Sequence, residues 1–128
     1  VTVGLKASEY TKELFENDEF SRYFFFHGLS VESAEGLAEY WHKKIREELG
    51  IAGDDASEID RLFRQNYRGL RYSFGYTACP DLAMQKTIFD LIPAAEIGLE
   101  LTEECQPVPE QSTTALVVHH PAARYFST

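Results

Sequence analysis

The sequence predicts an α+β fold in which N-terminal helices pack on a C-terminal antiparallel β-sheet. Three observations carry that expectation. Apolar residues recur at helical spacing before Pro93, as at Val31, Ala34, Ala38, Trp41, Ile45 and Leu49. Strand-like runs bounded by turn residues follow from Gly98 onward. The helices precede the strands instead of alternating with them, which disfavours a parallel βαβ arrangement.

Taken in order, a first helix is expected from Ser8, its cap, to about Phe26. Asn17-Asp18 is a point of interruption within it, and Gly28 is the expected break. Ser30 then caps a longer helix that runs to about Leu49 and stops at Gly50. Its apolar positions face inward, while Glu32, Glu35, Glu39, His42 and Arg46 form a second stripe on the adjoining face. After the linker Gly53-Asp-Asp-Ala56, Ser57 caps a third helix with Ile59, Leu62, Phe63 and Tyr67 inward and Gly69 as its stop. A loop carrying Arg71 follows. A fourth helix starts near Pro80-Asp81, presents Met84, Ile88, Leu91 and Ile92, and halts at Pro93. Strands are expected at Gly98 to Glu103, Thr113 to His119 and Arg124 to Ser127, with a break at Pro107 and Pro109.

A chain of 128 residues is enough for a single domain with a real core. With 44% hydrophobic and 26% charged residues it falls in the ordinary soluble range. A net charge of −9 argues against nucleic-acid binding, which needs Lys and Arg gathered on one face. Apolar runs such as Ala115 to Val118 are far short of the roughly 20 residues a membrane span needs, and no signal peptide is visible. Cys79 and Cys105 are too few for a disulfide scaffold and read as reduced thiols in a cytoplasmic protein. The chain starts at Val1 without Met and ends at Tyr125-Phe-Ser-Thr128, so the expectation is a piece of a longer protein.

The most informative stretch is Arg71-Tyr-Ser-Phe-Gly-Tyr-Thr-Ala-Cys-Pro-Asp81. Gly75, lacking a Cβ, lets the main chain lie close to a ligand, and Arg71 offers a fork of donors suited to a carboxylate. Arg71 reads either as a ligand clamp or as the ion-pair partner of an acidic helix. Glu35 and Glu39, one helical turn apart, read either as an acid–base pair or as a solvated acidic face balanced by His42 and Arg46. No metal site is expected: His119 and His120 on a strand point to opposite sides, and His27 and His42 lack partners at ligand spacing. Cys79 precedes a helix start, where a thiol loses its proton more readily, but no Cys-His-Asn arrangement surrounds it. No catalytic residue is assigned. There is neither a phosphate loop nor a dinucleotide fingerprint. Tyr125-Phe126 either wall a pocket or fill the core.

Across Asn66-Tyr-Arg-Gly-Leu-Arg-Tyr-Ser-Phe-Gly-Tyr-Thr-Ala-Cys-Pro-Asp81 the sequence resembles the activation domain of cobalamin-dependent methionine synthase. The family's run reads close to Y-x-G-[IL]-R-x-x-x-G-Y-x-A-C-P-[DE], and this chain fits it throughout. Ala38-Glu-Tyr-Trp-His42 with Ile45-Arg46, Lys86-Thr-Ile-Phe89, Gly98-Leu-Glu-Leu-Thr-Glu103 and His120-Pro-Ala-Ala-Arg-Tyr125 add matches, so the resemblance covers roughly residues 20 to 128.

The resemblance implies a domain that binds S-adenosylmethionine and supports reductive remethylation of inactive cob(II)alamin. The cobalamin would be bound by another domain of the same enzyme. The implied partners are that corrinoid-binding domain and a flavodoxin-like reductant. Carried over by position, Arg71 matches the family's ligand-binding arginine, Ser73 a main-chain contact and Tyr76 the tyrosine after Gly75. Tyr125 and Phe126 match an aromatic pair beside the ligand, and Glu35 a helical glutamate of the site. Gln65 stands where some members have glutamate. The family's domain also extends upstream, where an aspartate contacts the ligand, so residues 1–128 are expected to be the domain's later part. The chemistry agrees: arginine suits the ligand's carboxylate, acidic side chains its cations, and aromatics its base and sulfonium. The alternative reading is a stand-alone S-adenosylmethionine-binding or protein-interaction module without catalysis.

Overall fold

The structure, a computed structural model, describes residues 1–123. A turn at Asn17-Asp18, with Asp18 at φ 59°, separates α1 (Leu5–Glu16) from α2 (Phe20–Glu48). The chain therefore breaks at the interruption point and not at Gly28, which lies inside α2. A glycine in a helix interior costs about 1 kcal/mol, and packing of α1 along α2 outweighs it. Tyr10 meets Phe26 edge-on at 4.7 Å between ring centroids, and Phe15 meets Tyr23 at 5.4 Å. Ser30 is no cap either. Buried in mid-helix, it donates to the Phe26 carbonyl one turn back at 2.6 Å. Likewise α1 starts at Leu5, and the Ser8 hydroxyl donates to Gln111 Oε1 at 2.6 Å.

The stripe α2 buries is Ser30, Ala34, Ala38, His42 and Arg46, spaced four apart. The inward face is thus rotated from the expected one. Val31, Trp41 and Leu49 are exposed, whereas His42 and Arg46, members of the second stripe on the adjoining face, are buried. Small residues at 34 and 38 let other elements approach, and the two polar residues find partners of their own. Helix α2 ends at Glu48, with Gly50 at φ 70° just beyond, as its sequence predicts.

The third helix is a single short segment, α3 (Ile59–Phe63), that follows Glu58 and leaves Ile59 and Phe63 exposed. It ends well before Gly69. That glycine instead opens β1 (Leu70–Ser73), a strand where a loop was expected. β1 pairs antiparallel with β4 (Ala115–Val118), Leu70 opposite Val118 and Ser73 opposite Ala115. Gly69 sits at φ 85°, and a Cβ there would lie 2.7 Å from the Val118 carbonyl oxygen. Only glycine permits that approach.

Helix α4 (Met84–Leu91) starts after a turn in which Asp81 Oδ1 accepts from the Ala83 amide at 2.9 Å. Its buried residue is Gln85, while Met84, Leu91 and Ile92, apolar residues the helix presents, are exposed. Gln85 donates to the Cys105 carbonyl at 2.7 Å and accepts from the Thr114 hydroxyl, tying α4 to both sheets' approaches. A second ribbon pairs β2 (Glu100–Leu101) with β3 (Pro107–Val108), so Pro107 joins a strand where a break was expected. His119 and His120 lie past the end of β4, and the expected strand at 124–127 falls outside the described residues.

The result is α+β, as the helix-then-strand order predicts, with two small antiparallel sheets among the described residues. An apolar cavity of about 180 Å³ is lined by Ala38, Trp41 and Ile45 of α2, Ile88 and Phe89 of α4, and Ala115 and Val117 of β4. Among the described residues no helix is long and apolar enough to cross a membrane.

Candidate functional site

Helical periodicity puts Glu35 and Glu39 on one face of α2, and pairing with β4 holds Arg71 opposite them on β1. The Arg71 Nη2 donates to Glu35 Oε2 and to Glu39 Oε1, each at 3.1 Å. The Arg71 side chain is 13% exposed, those of Glu35 and Glu39 42% and 32%. Burial alone would lower the Arg71 pKa, but the hydrogen bonds and charges of Glu35, then of Glu39, raise it above its ordinary value. Arg71 is thus the ion-pair partner of an acidic helix, and it also lines a cleft. The balancing charge for Glu35 and Glu39 is Arg71 on β1, not the His42 and Arg46 of their own helix.

That cleft, of about 510 Å³, is lined by Glu35, Gln65, Arg71, Tyr72, Ser73, Tyr76, Thr77 and Ala78. Its volume lies within the roughly 300–1,000 Å³ typical of small-molecule sites. Its rim is a tight turn after β1. The Gly75 amide donates to the Cys79 carbonyl at 2.9 Å, and the Cys79 amide to the Tyr76 carbonyl at 2.8 Å. Phe74 is buried beneath the turn while Tyr76 stands out, 68% exposed. Gly75 sits at φ 85°, and a Cβ there would lie 3.1 Å from Leu82 Cδ2. Gln65 is also left-handed, at φ 60°, an uncommon conformation for a side-chain-bearing residue.

Behind the cleft lies a second set of contacts. The Tyr67 hydroxyl donates to Glu39 Oε2 at 3.3 Å. The Arg46 guanidinium lies 3.9 Å from the Tyr67 ring centroid, and His42 meets that ring edge-on at 5.0 Å. Arg46 in turn donates twice to Asp55, from Nε at 2.8 Å and Nη2 at 2.9 Å. Burial, then the charge of Arg46, lowers the His42 pKa to about 4, so the buried imidazole is neutral at pH 7.

Of the site residues the sequence picks out, Arg71, Ser73, Tyr76, Glu35 and Gln65 line one cleft, and Gly75 shapes its rim without lining it. Tyr125 and Phe126 lie outside the described residues. Tyr72, Thr77 and Ala78 belong to the same run and were not singled out. Glu39 was paired with Glu35 by spacing alone, and Tyr67 was placed in the core. Nothing in their own spacing links the two. Among the described residues no group of His, Cys, Asp or Glu could hold a metal ion. The cleft is lined by one cation, one carboxylate and an exposed phenol, with the Glu39 carboxylate on the far side of the Arg71 pair.

Comparison with known proteins follows the same line. Residues 1–128 match the family described as vitamin B12 dependent methionine synthase, activation domain. Methionine synthase of Mycobacterium leprae (strain TN) is 44% identical over 133 residues, 99% of this chain and 11% of that protein. The methionine synthase of Mycobacterium tuberculosis (strain ATCC 25618 / H37Rv) matches with the same identity and coverage, 44% over 133 residues. The chain thus spans 11% of the length of these curated relatives. Among solved structures, the crystal structure of the MetH reactivation domain bound to AdoHcy superposes with a TM-score of 0.91 at 28% identity. That match covers 98% of this chain and 39% of the other.

Proposed function

The chain belongs to the activation-domain family of vitamin B12 dependent methionine synthase, and from that premise we propose that it binds S-adenosylmethionine in the Arg71 cleft. One observation carries the reading. Arg71, from the family's own run, is presented by a strand to the head of a cleft that also holds Glu35, Gln65, Ser73 and Tyr76. When bound, S-adenosylmethionine supplies a methyl group on a sulfonium. The chain's residues do the holding. Arg71 takes the carboxylate as a charge-assisted pair, Glu35 takes the ammonium, and the main chain at Ser73 and the Tyr76 ring flank the rest. Tyr125 and Phe126 are proposed as a further aromatic wall. Gln65 is an amide and contributes a hydrogen bond but no charge. Gly75 keeps the rim in the shape that lets Tyr76 stand over the cleft.

In this reading residues 1–128 are the later part of an activation domain that supports reductive remethylation of inactive cob(II)alamin in a methyltransferase. The cobalamin is held by a corrinoid-binding domain of the same enzyme, a flavodoxin-like protein serves as reductant, and the setting is the cytoplasm. The resemblance supports these finer statements, and the cleft's donor set is consistent with the ligand.

The test is calorimetric titration of the chain with S-adenosylmethionine, beside Arg71→Ala. Saturable binding that the substitution weakens more than about thirtyfold, the effect of losing one partner of a desolvated charge pair, is expected. Binding that is indifferent to Arg71 would overturn the assignment.

A further inference from the structure

Arg71 touches two carboxylates, and they are not equivalent. Glu35 is the more exposed, 42% against 32%, and among the described residues its side chain is held by Arg71 alone. Glu39 is held twice, by Arg71 at 3.1 Å and by the Tyr67 hydroxyl at 3.3 Å. Tyr67 is itself gripped. One face of its ring lies 3.9 Å from the Arg46 guanidinium, and His42 packs against it edge-on at 5.0 Å. Arg46 is locked in turn by its two bonds to Asp55, with side-chain exposures of 3% and 9%. The direction of the Tyr67 hydroxyl, and through it the position of Glu39, is thus set from the protein interior.

We infer that Glu39 is the standing counterion of Arg71, positioned by Tyr67, and that Glu35 is the exchangeable one. This rests on the reading of the cleft as the site of a ligand with an amino-acid moiety. As that ligand enters, its carboxylate takes the place of Glu35 on Arg71, and Glu35 turns to the ammonium. Glu39 stays, keeping the guanidinium aimed. With Glu39 in place, less of the order of the Arg71 side chain has to be supplied at the moment of binding, where ordering costs affinity. Glu39 and Tyr67 are then positioning residues: they act through Arg71 and need not touch the ligand.

The chain, Tyr67→Phe and Glu39→Gln are titrated with S-adenosylmethionine and with 5′-methylthioadenosine, which lacks the amino-acid moiety. Tyr67→Phe keeps the ring between Arg46 and His42, so the fold is retained. Losing a hydrogen bond to a charged group should weaken S-adenosylmethionine about tenfold in either variant, with 5′-methylthioadenosine unchanged. Equal loss for both ligands would mark a merely structural role and overturn the inference, as would no loss for either. Side-chain NMR of the Arg71 guanidinium, recorded without ligand, separates this inference from the ligand reading. If no protein binds either ligand but guanidinium rotation is faster in Tyr67→Phe, the positioning role stands and the ligand assignment falls. Unchanged rotation in both variants overturns the positioning role itself.

Discussion

Helix α2 carries or faces two arginine–carboxylate centres built from the same chemistry and finished differently. At Arg46 the guanidinium makes a two-pronged pair with Asp55, and side-chain exposures are 3% and 9%. The Tyr67 ring covers the guanidinium at 3.9 Å. At Arg71 a single nitrogen serves both Glu35 and Glu39, whose exposures are 42% and 32%, and the group borders a cleft. The closed centre commits two of the Arg46 nitrogens to one partner and lies almost wholly out of solvent. The open centre leaves charge within reach of solvent, where an incoming group can compete. A buried pair is most costly to break and a part-exposed one is cheap to rearrange. In the proposed reading, fold maintenance and ligand exchange therefore sit on different arginines, with Tyr67 between them.

Four experiments break or sharpen that contrast. The largest effect is expected at the closed centre. Arg46→Ala strands the Asp55 carboxylate and should cost about 3–5 kcal/mol in urea unfolding; a loss below about 1 kcal/mol would mean that water reaches Asp55 and the centre is not closed. Next comes His42. Its pKa is about 4 in the folded chain against 6.5 ordinarily, so between those values the unfolded state binds the extra proton. Stability should therefore fall as pH drops from 6.5 to about 4, by up to about 3 kcal/mol. His42→Phe should remove the contribution of this group, seen as a flatter stability profile across that window.

At the open centre, Arg71→Ala should weaken S-adenosylmethionine more than about thirtyfold while costing only about 1 kcal/mol of stability. A stability loss rivalling that of Arg46→Ala would erase the distinction. The smallest effect is expected at Gly75→Ala, which forces a Cβ into a backbone at φ 85° and 3.1 Å from Leu82. Thermal melting should show a loss of about 1–2 kcal/mol from the left-handed backbone, and affinity should fall with it as the Tyr76 rim shifts.

Legibility of the sequence varied along the chain for physical reasons. Gly50 and Asn17-Asp18 marked real turns because backbone conformation there is a local property, as the positive φ of Asp18 and Gly50 shows. Gly28 and Ser30 misled because a propensity of about 1 kcal/mol yields to the Tyr10–Phe26 and Phe15–Tyr23 contacts. Trp41 and His42 exchanged their expected places. Hydrophobicity favours burying the tryptophan, but Tyr67 and Asp55, which lie beyond the end of α2, supply partners for His42 and Arg46 instead.

By itself the sequence determined the α+β class, with helices dominating the first half and most strands late, and it marked Arg71 and its aromatic, glycine-bearing run as one contiguous motif. Those properties follow from residue type, periodicity and a contiguous motif. The tertiary structure alone decided that Arg71 sits on a strand, because β1 exists only by pairing Leu70–Ser73 with Ala115–Val118. It alone decided that Glu39 is braced by Tyr67 and Tyr67 by Arg46, since each link joins residues from different elements. Local spacing can align two glutamates on a helix face. Which charge meets them, and what holds that charge still, is fixed only when distant segments are packed together.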